Sequence, residues 1–395
     1  MIELRKLTAD DYDTLLNLLN EVFAREHGHP MDFLNELTKM WIRDDRHMGY
    51  HTGLFEDGRL VSVAGCYPFT LKIGDTSLLF ATTGNVATLP EYEGRGHFTA
   101  VFTKIMDELE QMGADGARLG GARQRYARFG YEPAGSTYTV TLSRRNREQY
   151  FHDAGKDIVF REIAREDAEA LSFCHELSRR SAVYVERSPE DHERDVYLAL
   201  CSKHAAPYLA VENGEPVGYL AAASDQQFIG RSVDGPRILE WNTVSSKYTA
   251  PMLCAWQRRV KSNVTFLLGP HMQEELRLFA PAAEYVSLSS SHRIKVLNYV
   301  KLADALLKLK ASQRPLLKGK YVIVIEDYGA ISLEVSESGA SCVMSKDAPD
   351  VTLDRLSATR LLFGCLPPSC TLASPGPLPE SWLPLPFSWN TLDYV

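Results

Sequence analysis

Nowhere does the 395-residue chain approach the roughly 20 consecutive apolar positions that a membrane-spanning helix requires. The opening Met1-Ile2-Glu3-Leu4-Arg5 also lacks the apolar core of an export signal. A cytoplasmic protein with no membrane partner is expected. Cysteine is sparse and odd in number, seven residues with no Cys-x-x-Cys pair, which argues against a disulfide framework and a zinc site. There is no Gly-x-Ser-x-Gly, no Walker loop and no His-Glu-x-x-His, which removes the commonest hydrolase, NTPase and zinc-peptidase readings. Positive charge is in deficit, 43 Lys and Arg against 51 Asp and Glu, giving a net −8. A nucleic-acid partner needs a basic face and is not expected; a cationic or neutral partner suits the balance. His27 and His29, with Asp32 nearby, come closest to a metal-ligand spacing. The intervening Gly28 and the following Pro30 read more simply as a polar loop between helices, so no metal is expected.

What the chain does contain is an internal repeat. Ile2, Leu4, Arg5, Leu7, Asp11 and Leu15 line up with Ile158, Phe160, Arg161, Ile163, Asp167 and Leu171 at an offset of 156. Glu56-Asp57-Gly58 with Val61 matches Glu212-Asn213-Gly214 with Val217 at the same offset, as Tyr92 matches Tyr248. Two copies of one domain are expected, over 1–155 and 156–290. Each copy opens with an alternating strand and a helix, then a hairpin at Asp57-Gly58 or Asn213-Gly214, residue pairs that tolerate positive φ.

The copies differ where chemistry enters. After a strand over 77–88, copy one reads Pro90-Glu91-Tyr92-Glu93-Gly94-Arg95-Gly96-His97-Phe98, and a helix follows whose apolar stripe is Phe98, Val101, Phe102, Ile105, Met106, Leu109 and Met112. Strand, glycine turn and helix start together form a phosphate cradle: successive backbone N–H groups and the positive helix end converge on an anion. Gly94 and Gly96 allow close approach, and Arg95 adds charge. At the same offset copy two has Thr249-Ala250-Pro251-Met252, without glycine and with one donor removed by proline. Copy one is therefore expected to bind the ligand.

At these residues the sequence resembles the GCN5-related N-acetyltransferases (GNAT), whose loop after a bulged strand holds the acetyl-CoA pyrophosphate. Gly96 is kept, while Glu93 and Phe98 depart from the usual basic and small residues. Two such domains plus a third resemble more narrowly the Eis (enhanced intracellular survival) family. Its Tyr-Gly-Arg-Phe-Gly-Tyr segment is similar to Tyr126-Ala127-Arg128-Phe129-Gly130-Tyr131. The remainder, 291–395, has a helix over 301–310, a hairpin series and a helix over 353–363, and resembles the sterol-carrier-protein-like domain that closes Eis proteins. The implied fold class is α/β (α+β), two tandem acetyltransferase-like domains followed by that α+β domain. Seven prolines within 367–386 stiffen the tail, yet Trp382, Phe387, Trp389 and Tyr394 predict that it folds back.

The resemblance implies an acetyl-CoA-dependent acyltransferase acting by direct attack of a primary amine. It makes Tyr126 the general acid and the terminal carboxylate of Val395 the general base. It places the co-substrate on Val86, Ala87 and Thr88 and on Gly94, Arg95, Gly96, His97, Phe98 and Thr99. Phe23, Glu26, Asp32, Phe33, Glu36 and Trp41, carboxylates mixed with aromatics, suit the amine of an aminoglycoside, a polyamine or a lysine. A homo-oligomer, a hexamer by family resemblance, is also implied. Two other readings remain at this stage, a non-catalytic acetyl-CoA sensor and a lipid-binding module.

Overall fold

The computed structural model describes residues 1–29, 31–187, 195–223, 236–290 and 292–393. The first region contains β1 (Ile2–Lys6), α1 (Tyr12–His27), α2 (Phe33–Glu36), α3 (Asp45–Met48), β2 (His51–Glu56), β3 (Arg59–Ile73) and β4 (Thr76–Thr88). It continues through α4 (His97–Gln111), β5 (Gly116–Leu119), α5 (Arg123–Ala127) and β6 (Glu132–Ala134). The second region contains β7 (Thr137–Leu142), α6 (Arg144–Tyr150), β8 (Ile158–Glu162), α7 (Ala168–Ser178), β9 (Val183–Val185) and α8 (Val196–Cys201). After these come β10 (Ala205–Glu212), β11 (Glu215–Ala223), β12 (Arg237–Thr243), α9 (Thr249–Val260), β13 (Val264–Leu268), α10 (Gln273–Phe279) and β14 (Tyr285–Ser289). The third region follows β15 (His292–Val296) with α11 (Tyr299–Gln313), β16 (Gly319–Ile325), β17 (Gly329–Ser336), β18 (Gly339–Met344), β19 (Val351–Leu353), α12 (Arg355–Phe363) and α13 (Pro377–Trp382).

The elements read from local chemistry form where their residues call for them. Asp57 and Gly58, and Asn213 and Gly214, all have positive φ in the turns they make. The apolar stripe of α4 buries Val101, Phe102, Ile105, Met106 and Leu109, and Gly113 follows the helix at φ +67°.

The sheets do not keep to the boundaries of the repeat. In the first sheet the order is β1-β2-β3-β4-β5-β15-β6, with β9 pairing the far end of β3. The second sheet runs β14-β7-β13-β12-β11-β10-β8. Residues 137–142, inside the expected first domain, therefore lie in the second sheet, and residues 292–296, inside the expected third, complete the first. Strand β15 pairs with both β5 and β6, and β7 with both β13 and β14. Partner choice in a sheet is a long-range matter of edge complementarity, which a repeat offset does not encode.

The third region forms a four-stranded sheet of order β18-β17-β16-β19 covered by α11. Its core is continuous with that of the first sheet: Phe69, Leu71 and Phe80 share one apolar cluster with Leu306, Leu333 and Phe363. The tail fills that cluster with Trp382, Leu385, Phe387 and Trp389. Among the described residues, no helix is long and apolar enough to cross a membrane.

Candidate active site

Strands β4 and β5 run parallel and pair only from Phe80–Thr83 to Gly116–Leu119. Strand β4 then continues to Thr88 while β5 ends, so the pair opens as a fork. A bulge marks the opening: Val63 pairs with Ala87 and Gly65 with Gly84, leaving Asn85 and Val86 opposite Ala64 alone. Asn85 takes φ +51°, a left-handed conformation that Asn accepts more readily than most residues.

Backbone direction follows from the alternation of an antiparallel ladder. Leu89 N–H donates to Val61 O at 2.9 Å, so Ala87 also faces β3, where its carbonyl accepts from Ser62 Oγ at 3.2 Å. The amides of Val86 and Thr88 are turned to the open side. Of the three strand residues expected to contact the co-substrate, two present backbone to the fork, and Ala87 does not.

Beyond the fork, Gly94 and Gly96 have φ +74° and +85°, and no atom lies within 4 Å of where a Cβ would stand at either. Both conformations favour glycine, and the space is that of an open cradle. The first helical bond of α4 is Ala100 N–H to Gly96 O, which leaves the amides of His97, Phe98 and Thr99 leading at the positive helix end. Glu93 is exposed. Arg95 is drawn toward Glu56 at 3.5 Å and Glu91 O at 3.1 Å, and lies over the Tyr92 ring. His97 Nε2 meets Glu56 at 3.1 Å, and Thr99 Oγ1 accepts from Arg128 at 2.8 Å. The residues present fit a pyrophosphate bound by backbone amides, with Arg95 and Arg128 within reach as charge.

The second copy has no counterpart of this turn. Helix α9 begins at Thr249, directly after the short turn Ser246–Tyr248 that matches Pro90–Tyr92. Four residues, Glu93 to Gly96, are deleted there. Thr249-Ala250-Pro251-Met252 is the first turn of a helix, not a degenerate loop, and Met252 is fully buried. A constant offset of 156 hides this deletion.

Tyr126, on α5 after β5, is 4% exposed and packs against Phe98 and Phe102 across the fork, at ring distances of 5.9 and 5.2 Å. Gly121 makes the room, since a Cβ there would stand 2.8 Å from the Tyr126 ring. Burial raises the phenol pKa, Arg125 opposes the shift and Glu26 reinforces it. A phenol kept protonated beside a cleft is suited to donate a proton.

The six expected substrate residues separate into two groups. Phe23, Phe33 and Trp41 form one aromatic chain, with ring distances of 5.4 Å and 6.0 Å. Glu26 is exposed at the end of α1. Asp32 is the N-cap of α2, accepting from Asn35, and Glu36 pairs with Lys203 of the second region at 2.7 Å. Those two carboxylates are committed to the fold, and Glu26 alone of the three is left to meet an amine.

Val395 lies outside the described residues, but the tail leading to it is described to Asp393. Lys39 Nζ donates to Leu392 O at 3.1 Å, and burial, partly offset by Asp393, lowers its pKa to about 8. Arg187 donates to Asp393 at 2.8 Å and to both Glu240 oxygens at 2.9 and 2.6 Å. Burial works against its charge, but the two carboxylates outweigh it and hold the guanidinium above its ordinary range. A small cavity of about 40 Å³ joins Asp393 and Lys39 to Tyr50 and Tyr67 of the first region.

Tyr67 belongs to a buried polar cluster that the sequence did not reveal. Its hydroxyl meets His51 Nε2 at 2.7 Å and accepts from Asn85 Nδ2 at 2.7 Å. His51 Nδ1 lies 3.3 Å from Met48 O, and burial lowers the imidazole to about 4. The neutral ring thus donates from Nδ1 and accepts the Tyr67 proton at Nε2. A Gly84-Asn85 pair inside an apolar strand was the one linear signal, marking a bulge. His51 and Tyr67 sit 16 residues apart on neighbouring strands and leave none. Among the described residues, no group of three or more His, Cys, Asp or Glu is placed to hold a metal.

A parallel fork with a bulged strand, an amide-lined glycine turn and a buried tyrosine across the gap together fit a coenzyme-A-type acyltransferase site. Residues 3–134 match the model of the acetyltransferase (GNAT) domain, which makes the chain an acyltransferase of a kind that uses acetyl-CoA as co-substrate. The chain is also similar in structure to a GCN5-related N-acetyltransferase from Anabaena variabilis (TM-score 0.68, 17% identity, 100% of both chains covered). It is similar to another from Kribbella flavida (0.66, 19%, 100% of this chain and 98% of that one) and to Eis1 from Mycobacterium abscessus (0.64, 17%, 96% of each). No curated protein matches the sequence. At these identities the likeness is one of fold, and it extends over the whole chain.

Proposed function

We propose that the chain is an Eis-like N-acetyltransferase that acetylates a primary amine of a cationic substrate by direct attack. The observation that carries this reading is the β4–β5 fork, which opens at the Asn85 bulge onto the Gly94–Gly96 turn with Tyr126 across it. Acetyl-CoA, when bound, supplies the activated acetyl thioester. Gly94, Gly96 and the leading amides of α4 hold its pyrophosphate, and Val86 and Thr88 pair with the amides of its arm. The Val86 N–H donates to the carbonyl oxygen under attack. The Val395 carboxylate takes the proton of the substrate ammonium, and Tyr126 gives one to the departing sulfur. The tail's course past Lys39, Arg187 and Tyr67 supports that assignment of the base.

Glu26 at the end of the Phe23–Phe33–Trp41 aromatic chain, together with the net −8, supports a polycation such as an aminoglycoside, with a protein lysine second. We read the third region as the sterol-carrier-like domain of this arrangement, serving as a brace for the tail. Its interior is filled by Trp382 and Phe387, both fully buried, which disfavours lipid cargo. A homo-oligomer, a hexamer by family resemblance, belongs to the same reading. Exposed Tyr285, Val286 and Leu288 on edge strand β14 offer an apolar surface for it. The test is incubation with acetyl-CoA, a thiol reporter and a panel of aminoglycosides, polyamines and lysine peptides. Thiol release with an aminoglycoside is expected; acetyl-CoA binding without turnover on any amine would make the protein a sensor instead.

A further inference from the structure

The second region has a fork of its own. Strands β12 and β13 pair in parallel only at Arg237–Ile238 with Thr265–Phe266, after which both continue apart, β12 as far as Thr243. Val244 N–H donates to Val217 O at 3.0 Å, so Asn242 faces β11, while Trp241 and Thr243 turn their backbone groups into the opening. These are the structural counterparts of Val86 and Thr88. The opening is a cavity of about 340 Å³, within the range of small-molecule sites. Its walls include Trp241, Thr243, His271, Glu275 and, from the returning tail, Asn390.

The chemistry of the walls limits what can enter. The glycine turn is deleted and Pro251 has no N–H, so nothing corresponds to a phosphate cradle. His271 Nδ1 is enclosed without a hydrogen-bond partner among the described residues. Burial lowers the imidazole to about 4, and it raises the Glu275 carboxyl. One end of the cavity thus holds a neutral imidazole with an open Nδ1 beside a carboxyl, which suits a polar hydrogen-bonding group, and its length offers an unpaired strand edge to amides.

We propose that the β12–β13 fork is a second ligand site, taking a small, extended, phosphate-free amide that pairs with the edge of β12 and places a polar end at the wall formed by His271 and Glu275. Pantetheine, a diamide without phosphate, is the probe. Calorimetric titration into the full chain already saturated with CoA, which occupies the first fork, is expected to show one further site per chain. Ser246→Trp, at the exposed mouth of the cavity, should weaken that binding at least tenfold, and Glu275→Ala should weaken it about tenfold, one lost hydrogen bond to a polar group. Gly96→Glu, titrated without CoA, should still bind pantetheine at the second fork. No binding to the CoA-saturated protein, or equal binding by Ser246→Trp, overturns the proposal. Failure of CoA itself to bind would count against the first fork as the cofactor site. The comparison of wild type with Ser246→Trp would still read the second.

Discussion

Single side chains at the first fork fall into two kinds, those whose loss changes chemistry and those whose loss weakens a buried polar cluster. Tyr126 is of the first kind. Replacement by Phe keeps the ring against Phe98 and Phe102, so acetyl-CoA affinity should hold while turnover falls by ~10²–10⁴-fold; a fall within about twofold would make it a packing residue. Tyr67 is of the second kind, because its hydroxyl joins His51 to Asn85 at the bulge. Tyr67→Phe leaves Asn85 Nδ2 and His51 Nε2 with only their mutual contact at 3.2 Å, and a loss of about 1 kcal/mol is expected in urea unfolding. His51 itself sets a pH dependence. Its folded pKa of about 4 lies below the ordinary 6.5, so between these values the unfolded chain binds more protons and stability drops as pH falls. The unfolding free energy of wild type should decline from pH 6.5 to 4 more steeply than that of His51→Gln; parallel slopes would remove His51 from the cause.

At the level of elements, the difference between the two copies lies in one turn. The four residues from Glu93 to Gly96 separate a fork with an open glycine turn from one without, while the strands and helices on either side are the same in kind. Gly96→Glu introduces a side chain at φ +85° and a negative charge at the leading amides of α4. Acetyl-CoA binding should become undetectable by calorimetry while the far-ultraviolet circular dichroism is retained, since the cradle faces open space. Unchanged affinity would move the phosphates elsewhere.

For the whole molecule, the tail ties three regions to one place: Lys39 of the first region donates to Leu392 O, and the second region holds the tail through a buried ion cluster. Arg187 follows β9, Glu240 lies on β12 and Asp393 ends the described tail, and all three are buried. Arg187→Met would leave two buried carboxylates without their counter-charge, and a cost of about 3–5 kcal/mol in unfolding is expected. A smaller loss, below about 1 kcal/mol, would mean that water reaches the cluster. If the terminal carboxylate is the base, a C-terminal tag converts it to an amide and extends the chain beyond it. Tagged protein should bind acetyl-CoA yet lose ~10²-fold or more in turnover, whereas an N-terminal tag on exposed Met1 should not matter. Full activity of the C-terminally tagged protein would return the base to Glu26 or to the Tyr67–His51 pair.

By itself the sequence determined what depends on neighbours a few residues apart. The paired turns, the stripe of α4, the open glycine turn and the element order of the third region follow from local spacing and turn chemistry, and the burial of Trp382, Phe387 and Trp389 from the aromatic content of the tail. Tyr126 was legible only through a motif. The tertiary structure alone decided the exchange of β7 and β15 between sheets, because strand pairing joins residues more than a hundred positions apart, such as Leu142 with Val264 and Gly116 with Val296, and depends on which edge is free. It also decided which carboxylates remain available: Asp32 and Glu36 look like Glu26 in the chain, but a helix start and Lys203 consume them. The forks themselves are invisible in one dimension, since they exist only where two parallel strands, each ordinary on its own, stop pairing at different points along their length.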